Sequence, residues 1–237
     1  MLVKLIDARE SLSVQVHPTD EIARVSGNLR GKTELWHILE AEPGAGIYLG
    51  LKRQTTKDEL SACIADGTVT EILKWYPVAP GESYMVHAGE LHAIGRGVLL
   101  LEVQESCDIT YRIYDYGRVG TDGKPRALHI EQALHCASLV PGSAVPPGAS
   151  DWVRNAKGDF RHIAACPYFH IDELSLHGEF PLRADGRSFV HVLTASGEAA
   201  VGFDGGGFML RQGEGAFLPA GGSCTLKGNA HVIFTRR

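Results

Sequence analysis

Leu12-Ser13-Val14-Gln15-Val16-His17-Pro18 alternates apolar and polar residues until a proline breaks the run. On a β-strand this places Ser13, Gln15 and His17 on one face and Leu12, Val14 and Val16 on the other. A hydroxyl, an amide and an imidazole in a row line a pocket rather than a solvated surface. Two further segments bring complementary donors: Gly31-Lys32-Thr33-Glu34 and Glu90-Leu91-His92-Ala93. Two imidazoles, one carboxylate and one amide make four N/O donors, a set that suits a divalent ion and Zn²⁺ in particular. Gln15, His17, Glu34 and His92 are therefore the expected ligands of one Zn²⁺ per chain. Taken singly each is ordinary: a strand histidine, a loop acid, a ladder amide. What groups them is their common setting, on or beside predicted strands and next to Gly or Pro turns.

Outward from this stretch, glycine (28 residues) and proline (11 residues) punctuate many short apolar runs, the pattern of an all-β sandwich or barrel with tight turns. Strands are expected at 1–6, 12–17, 34–40, 45–51, 81–86, 91–94, 98–104 and 108–114. Helices are expected at 19–25, 55–65, 69–75 and 130–137, with the pair over 55–75 inserted to cover one end of a barrel. The run Val140-Pro141-Gly142 to Pro146-Pro147-Gly148 holds three prolines and two glycines and reads as a linker. The expected organisation is a catalytic domain over 1–139, a linker over 140–158 and a second β-barrel over 159–237, with strands expected there at 160–166, 169–176, 188–194, 198–203, 207–210, 215–218, 224–226 and 231–235. The second barrel is read as metal-free: its histidines 162, 170, 177, 191 and 231 lack a His-x-His with a partnering Glu at useful spacing.

Composition narrows the function classes. A net charge of −5 argues against nucleic acid as a partner. No apolar run reaches the roughly 18 residues of a membrane-spanning helix, and residues 1–7 read as a strand rather than a signal peptide. Five cysteines, odd in number and without a CxxC pair, read as reduced thiols in the cytoplasm.

Leu12–Pro18, Gly31-Lys32-Thr33-Glu34-Leu35-Trp36, Ala88-Gly89-Glu90-Leu91-His92-Ala93-Ile94 and Leu101–Tyr116 together resemble the type I mannose-6-phosphate isomerases, a metal-dependent branch of the cupins, in their short bacterial and archaeal form. The resemblance implies two cupin (jelly-roll) β-barrels with a few short inserted helices. It implies zinc on Gln15, His17, Glu34 and His92, and interconversion of mannose 6-phosphate and fructose 6-phosphate through a cis-enediol. Lys32 matches a pocket lysine argued to be the base. Arg112 matches the essential arginine, and Asp108 an acid implicated in ring opening. Read on one strand, residues 108, 110 and 112 share a face, so Asp108 and Arg112 are expected in the same pocket. Glu102 matches a pocket acid, with its spacing from His92 shifted by one residue, and Ser13 fits a substrate-facing hydroxyl. The family carries further strands upstream of the segment matching Met1, which leaves an expected open sheet edge that a second copy of the chain can pair. Two other readings stand beside this one. Two histidines and a carboxylate also suit an Fe(II) oxygenase, and a non-catalytic sugar-binding or regulatory cupin would bind without turnover.

Overall fold

A computed structural model describes residues 1–25, 27, 30–120, 123–142 and 150–237. The chain forms two compact units, Leu2–Pro146 and Pro147–Arg237. Residues 143–149 of the expected linker lie outside the described residues. Just ahead of them, Pro141 bridges Leu51 in parallel.

The first unit is built from β1 (Leu2–Ala8), β2 (Val14–Val16), α1 (Asp20–Val25), β3 (Glu34–Ala41), β4 (Gly46–Leu51), α2 (Lys57–Ala65), α3 (Val69–Ile72), β5 (Leu73–Pro77), β6 (Ser83–Val86), β7 (His92–Ile94), β8 (Val98–Gln104), β9 (Tyr111–Tyr114) and α4 (Ile130–Cys136). Its strands form a four-stranded sheet ordered β1-β8-β3-β6 and a five-stranded sheet ordered β5-β4-β7-β2-β9. Between the sheets lies an aliphatic and aromatic core that includes Trp36, Ile38, Ile47, Leu49, Tyr84, Ile94 and Leu100. On the outer face of the five-stranded sheet, Val14, Val16, Ala93 and Ile113 pack against Leu60 and Ile64 of α2 and Ala133 and Cys136 of α4. The helices thus cover a sheet face rather than one end. α2 starts where Thr56 Oγ1 accepts from Glu59 N at 3.1 Å, with Asp58 and Glu59 in its first turn.

Two expected elements change. The helix expected over 69–75 stops at Ile72, because Leu73–Pro77 pairs antiparallel with β4 instead. The strand expected over 108–114 begins only at Tyr111. Upstream of it the Ile109 carbonyl is taken by His17 Nδ1 at 2.9 Å rather than by a sheet ladder.

The second unit comprises β10 (Gly158–Ala165), β11 (His170–Arg183), β12 (Val190–Phe203), β13 (Gly206–Arg211), β14 (Gly215–Leu218) and β15 (Ser223–Arg236). They order as β10-β11-β15-β12-β13, with β14 also on β12, over a core that includes Leu174, Val192, Val201, Leu226 and Phe234. Segments expected as separate strands at 188–194 and 198–203 are one strand. Their break is a bulge between Thr194 and Ser196 followed by Gly197 at φ +72°, where a Cβ would fall 2.4 Å from Asn229 O. Here His162 pairs with Asp172, and His231 with Glu173. No helix among the described residues is long and apolar enough to cross a membrane.

Candidate metal centre

The interior of the first unit changes from apolar to polar along its strands. Inward positions on β3 run Ile38, Trp36, Glu34, and those on β8 run Leu100, Glu102, Gln104, in register with one another. On the facing sheet Gln15 pairs with His92 on one side and Arg112 on the other. The polar ends meet, and there His17, Glu34 and His92 are each fully buried. Among the described residues they form a group whose ligand atoms all lie within 4.8 Å of one another.

Backbone contacts draw the three sequence segments together. Gly89 N donates to His17 O at 2.8 Å, and Lys32 N to Pro18 O at 3.1 Å. Gly31 presses on the chain just after His17: a Cβ there would meet Pro18 O at 2.4 Å, Thr19 C at 2.5 Å and Asp20 N at 2.6 Å. Only glycine allows that approach, and its N–H donates to Asp20 Oδ1 at 2.7 Å.

The electrostatics of the cluster call for a cation. His17 Nδ1 faces Ile109 O at 2.9 Å and His92 Nδ1 faces Glu90 O at 2.8 Å. Each Nδ1 therefore carries the proton, and the two Nε2 atoms point at each other 3.2 Å apart. Burial, then the charge of His17, pushes the His92 pKa down to about 3 against the pull of Glu34, so its imidazole is neutral. Glu34 Oε1 lies 3.4 Å from His17 Nε2 and Oε2 lies 3.9 Å from His92 Nε2. Lys32, 4 % exposed, places Nζ 2.7 Å from Glu34 Oε1. That distance makes an ion pair without hydrogen-bond alignment, and neither Glu34 oxygen has a hydrogen-bond partner. Burial alone would raise the Glu34 pKa; His17, Lys32 and His92 outweigh it and hold the group well below the carboxylate range. Two imidazole Nε2 atoms and an ionised carboxylate converging on one point fit a divalent ion. The Gln15 amide reaches the same point, with Nε2 3.2 Å from His92 Nε2; turning it by 180° presents the oxygen.

The remaining expected residues are placed as follows. Arg112 Nε donates to the buried Ser13 Oγ at 3.1 Å, so both stand beside the Gln15 strand. Burial, with the charge of Arg126, lowers the Arg112 pKa, yet a guanidinium stays charged at neutral pH. Glu102 is buried and engaged on both oxygens, by Lys4 Nζ at 2.7 Å and Trp36 Nε1 at 3.1 Å. Asp108 is exposed in the loop before β9, so the shared-strand argument that pairs it with Arg112 fails. It adjoins Ile109, whose carbonyl orients His17.

Sequence reasoning misses Lys4, Trp36 and Gln104. Trp36 stacks edge-on to His92 with ring centroids 5.4 Å apart, and Lys4 Nζ bridges Glu102 and Gln104. The alternation of Leu100, Glu102 and Gln104 on a strand carries the signal for the last of these.

Fold and site define a cupin-type β-barrel protein with a candidate divalent-metal centre. No protein-family model matches the chain. A mannose-6-phosphate isomerase of Streptococcus mutans is 34% identical over 221 residues, covering 92% of this chain and 68% of that protein. The crystal structure of the mannose 6-phosphate isomerase from Bacillus subtilis superposes with a TM-score of 0.90 at 31% identity, over 99% of this chain and 74% of that one. A zinc-bound mannose 6-phosphate isomerase shares the fold at a TM-score of 0.74 and 16% identity, over 98% of this chain and 77% of that one. The chain belongs to the mannose-6-phosphate isomerase family.

Proposed function

We propose that the protein interconverts mannose 6-phosphate and fructose 6-phosphate, with Gln15, His17, Glu34 and His92 holding one Zn²⁺. The observation that carries the reading is the buried Glu34 carboxylate, without a hydrogen bond on either oxygen and facing two imidazole Nε2 atoms. Bound there, Zn²⁺ supplies Lewis acidity toward the oxygens on C1 and C2 of the sugar.

The chain's own residues do the rest. Lys32, as the neutral amine, is the base: it takes the proton from C2 of the open-chain aldose, leaving a cis-enediolate with its charge on O1, and returns that proton to C1 while the proton of the C2 hydroxyl passes to O1, which gives the ketose. Its burial, 4 % exposed, excludes the bulk water that would exchange that proton. Arg112, held by Ser13 Oγ, offers a fixed cation to the anionic sugar phosphate. Ser13 and Glu102 line the substrate side, and Asp108 serves ring opening from the loop beside His17. The catalytic domain is the first unit, with the second barrel separate from the chemistry.

The fixed Arg112 cation together with a Gln donor favours a sugar phosphate over oxygen chemistry at iron. A coupled assay for fructose 6-phosphate formation from mannose 6-phosphate, with and without chelator, tests the reading. Zn²⁺-loaded protein that fails to turn over refutes it. Binding of the sugar phosphate without turnover supports a regulatory cupin, and purification with iron and oxygen consumption supports an oxygenase.

A further inference from the structure

Thr33 stands between the proposed base and a proposed metal ligand, and its backbone is held at both ends by one residue. Thr33 N donates to Glu105 Oε1 at 3.0 Å, and Glu105 N donates to Thr33 O at 3.1 Å. The β3–β8 ladder ends at the Glu34–Gln104 pair. The Glu105 side chain and backbone carry the pairing one residue further, up to Lys32. Glu105 is anchored in turn, because its carbonyl accepts from Gln104 Nε2 at 2.8 Å.

A carboxylate is a costly residue for this place. Glu105 is 5 % exposed and its second oxygen, Oε2, has no hydrogen-bond partner. Burial is also the largest influence on its acidity, and raises its pKa. Stability alone would favour an apolar side chain here. What an apolar residue cannot supply is the acceptor that fixes the Thr33 N–H.

Resting on the roles proposed for Lys32 and Glu34, we infer that Glu105 is a positioning residue of the isomerase: by clamping the Thr33 peptide it sets where the Lys32 amine and the Glu34 carboxylate stand relative to each other. Residues that orient a ligand from one bond away typically change metal affinity or activity by about 10–100-fold when removed.

The test compares wild type, Glu105→Ala, Glu105→Met and Glu105→Gln in the full chain. The readouts are kcat and KM for mannose 6-phosphate, Zn²⁺ affinity by competition with a chromophoric chelator, and thermal midpoint. Met fills the volume without an acceptor, so it serves if the alanine variant does not fold. Gln keeps an acceptor and removes the charge. The expected result is a fall of about 10–100-fold in kcat for Ala and Met with KM little changed, weaker Zn²⁺ binding in both, and recovery of most of the loss by Gln. Wild-type kcat and Zn²⁺ affinity in the Met variant, or a Gln variant as impaired as Met, overturns the inference. Wild-type protein that neither binds Zn²⁺ nor turns over overturns the underlying reading, a distinct outcome visible before any variant is compared.

Discussion

Gly31→Ala probes the contact that joins two ligand-bearing segments. The added Cβ would lie 2.4 Å from Pro18 O, 2.5 Å from Thr19 C and 2.6 Å from Asp20 N. All three are backbone atoms, so no side chain can turn aside. Restoring ordinary contact, which begins at 3.4 Å, parts the segments by about 1 Å. The opening stretches the bonds from Gly31 N to Asp20 Oδ1 at 2.7 Å and from Lys32 N to Pro18 O at 3.1 Å. Overpacking costs about 1–3 kcal/mol and each lost bond about 0.5–1.5 kcal/mol, together roughly 2–6 kcal/mol. In a chain of this size 1 kcal/mol moves Tm by about 2–4 °C, so Tm should fall by about 4 °C or more. Catalysis is more sensitive, since a displacement of about 1 Å at reacting groups costs about 10²-fold. The coupled assay and a thermal melt of Zn²⁺-loaded protein read both effects. Wild-type kcat with an unchanged Tm refutes the reasoning.

Other substitutions separate the roles at the site. Lys32→Ala should abolish turnover while Zn²⁺ remains bound, whereas His92→Ala should lose both; elemental analysis beside the coupled assay distinguishes them, and substantial activity in Lys32→Ala removes it as the base. Metal at 100 times its Kd stabilises a single site by about 2.7 kcal/mol, so a chelator should lower Tm by roughly 5–11 °C. An unchanged melt would mean that no ion is held. Acid should destabilise the second barrel through His191, whose pKa burial lowers from 6.5. The folded chain then binds fewer protons than the unfolded chain below pH 6.5, so stability is present above that pH and is lost as pH falls toward the lowered value. A urea midpoint lower at pH 5.5 than at 7.5, with a shallower slope in His191→Gln, is the expected measurement.

Local pattern made most strands of the first unit legible, and the errors have definite causes. β8 runs over 98–104 as its alternation requires, and β3 and β4 differ from expectation by a residue or so. At 69–75 a weak helical pattern loses to pairing of Leu73–Pro77 with β4, a contact with residues more than twenty positions away. At 108–110 the β pattern is present but the Ile109 carbonyl goes to His17. In the second barrel the strands expected at 188–194 and 198–203 are one, because the strand passes through a bulge between Thr194 and Ser196 and keeps its pairing at Gly197. The candidate site was similarly divided: the alternation of Ser13, Gln15 and His17 marks a polar inward face, while nothing local announces Lys4, Trp36 or Glu105.

By itself, then, the sequence determined the chemistry on offer. Residue types and two-residue periodicity specify that Gln15, His17, Glu34 and His92 are strand-borne donors, and motif similarity specifies their family. Only the tertiary structure decided how those donors are poised. The direction of each imidazole depends on a carbonyl outside its own strand, Ile109 O for His17 and Glu90 O for His92. The exposure of the Glu34 oxygens to both rings depends on two sheets facing each other. The spacing of Lys32 from Glu34 depends on Gly31 lying against Pro18–Asp20 and on Glu105 closing around Thr33. These are distances between backbones remote in sequence, set by packing and hydrogen-bond satisfaction, and no periodicity encodes them.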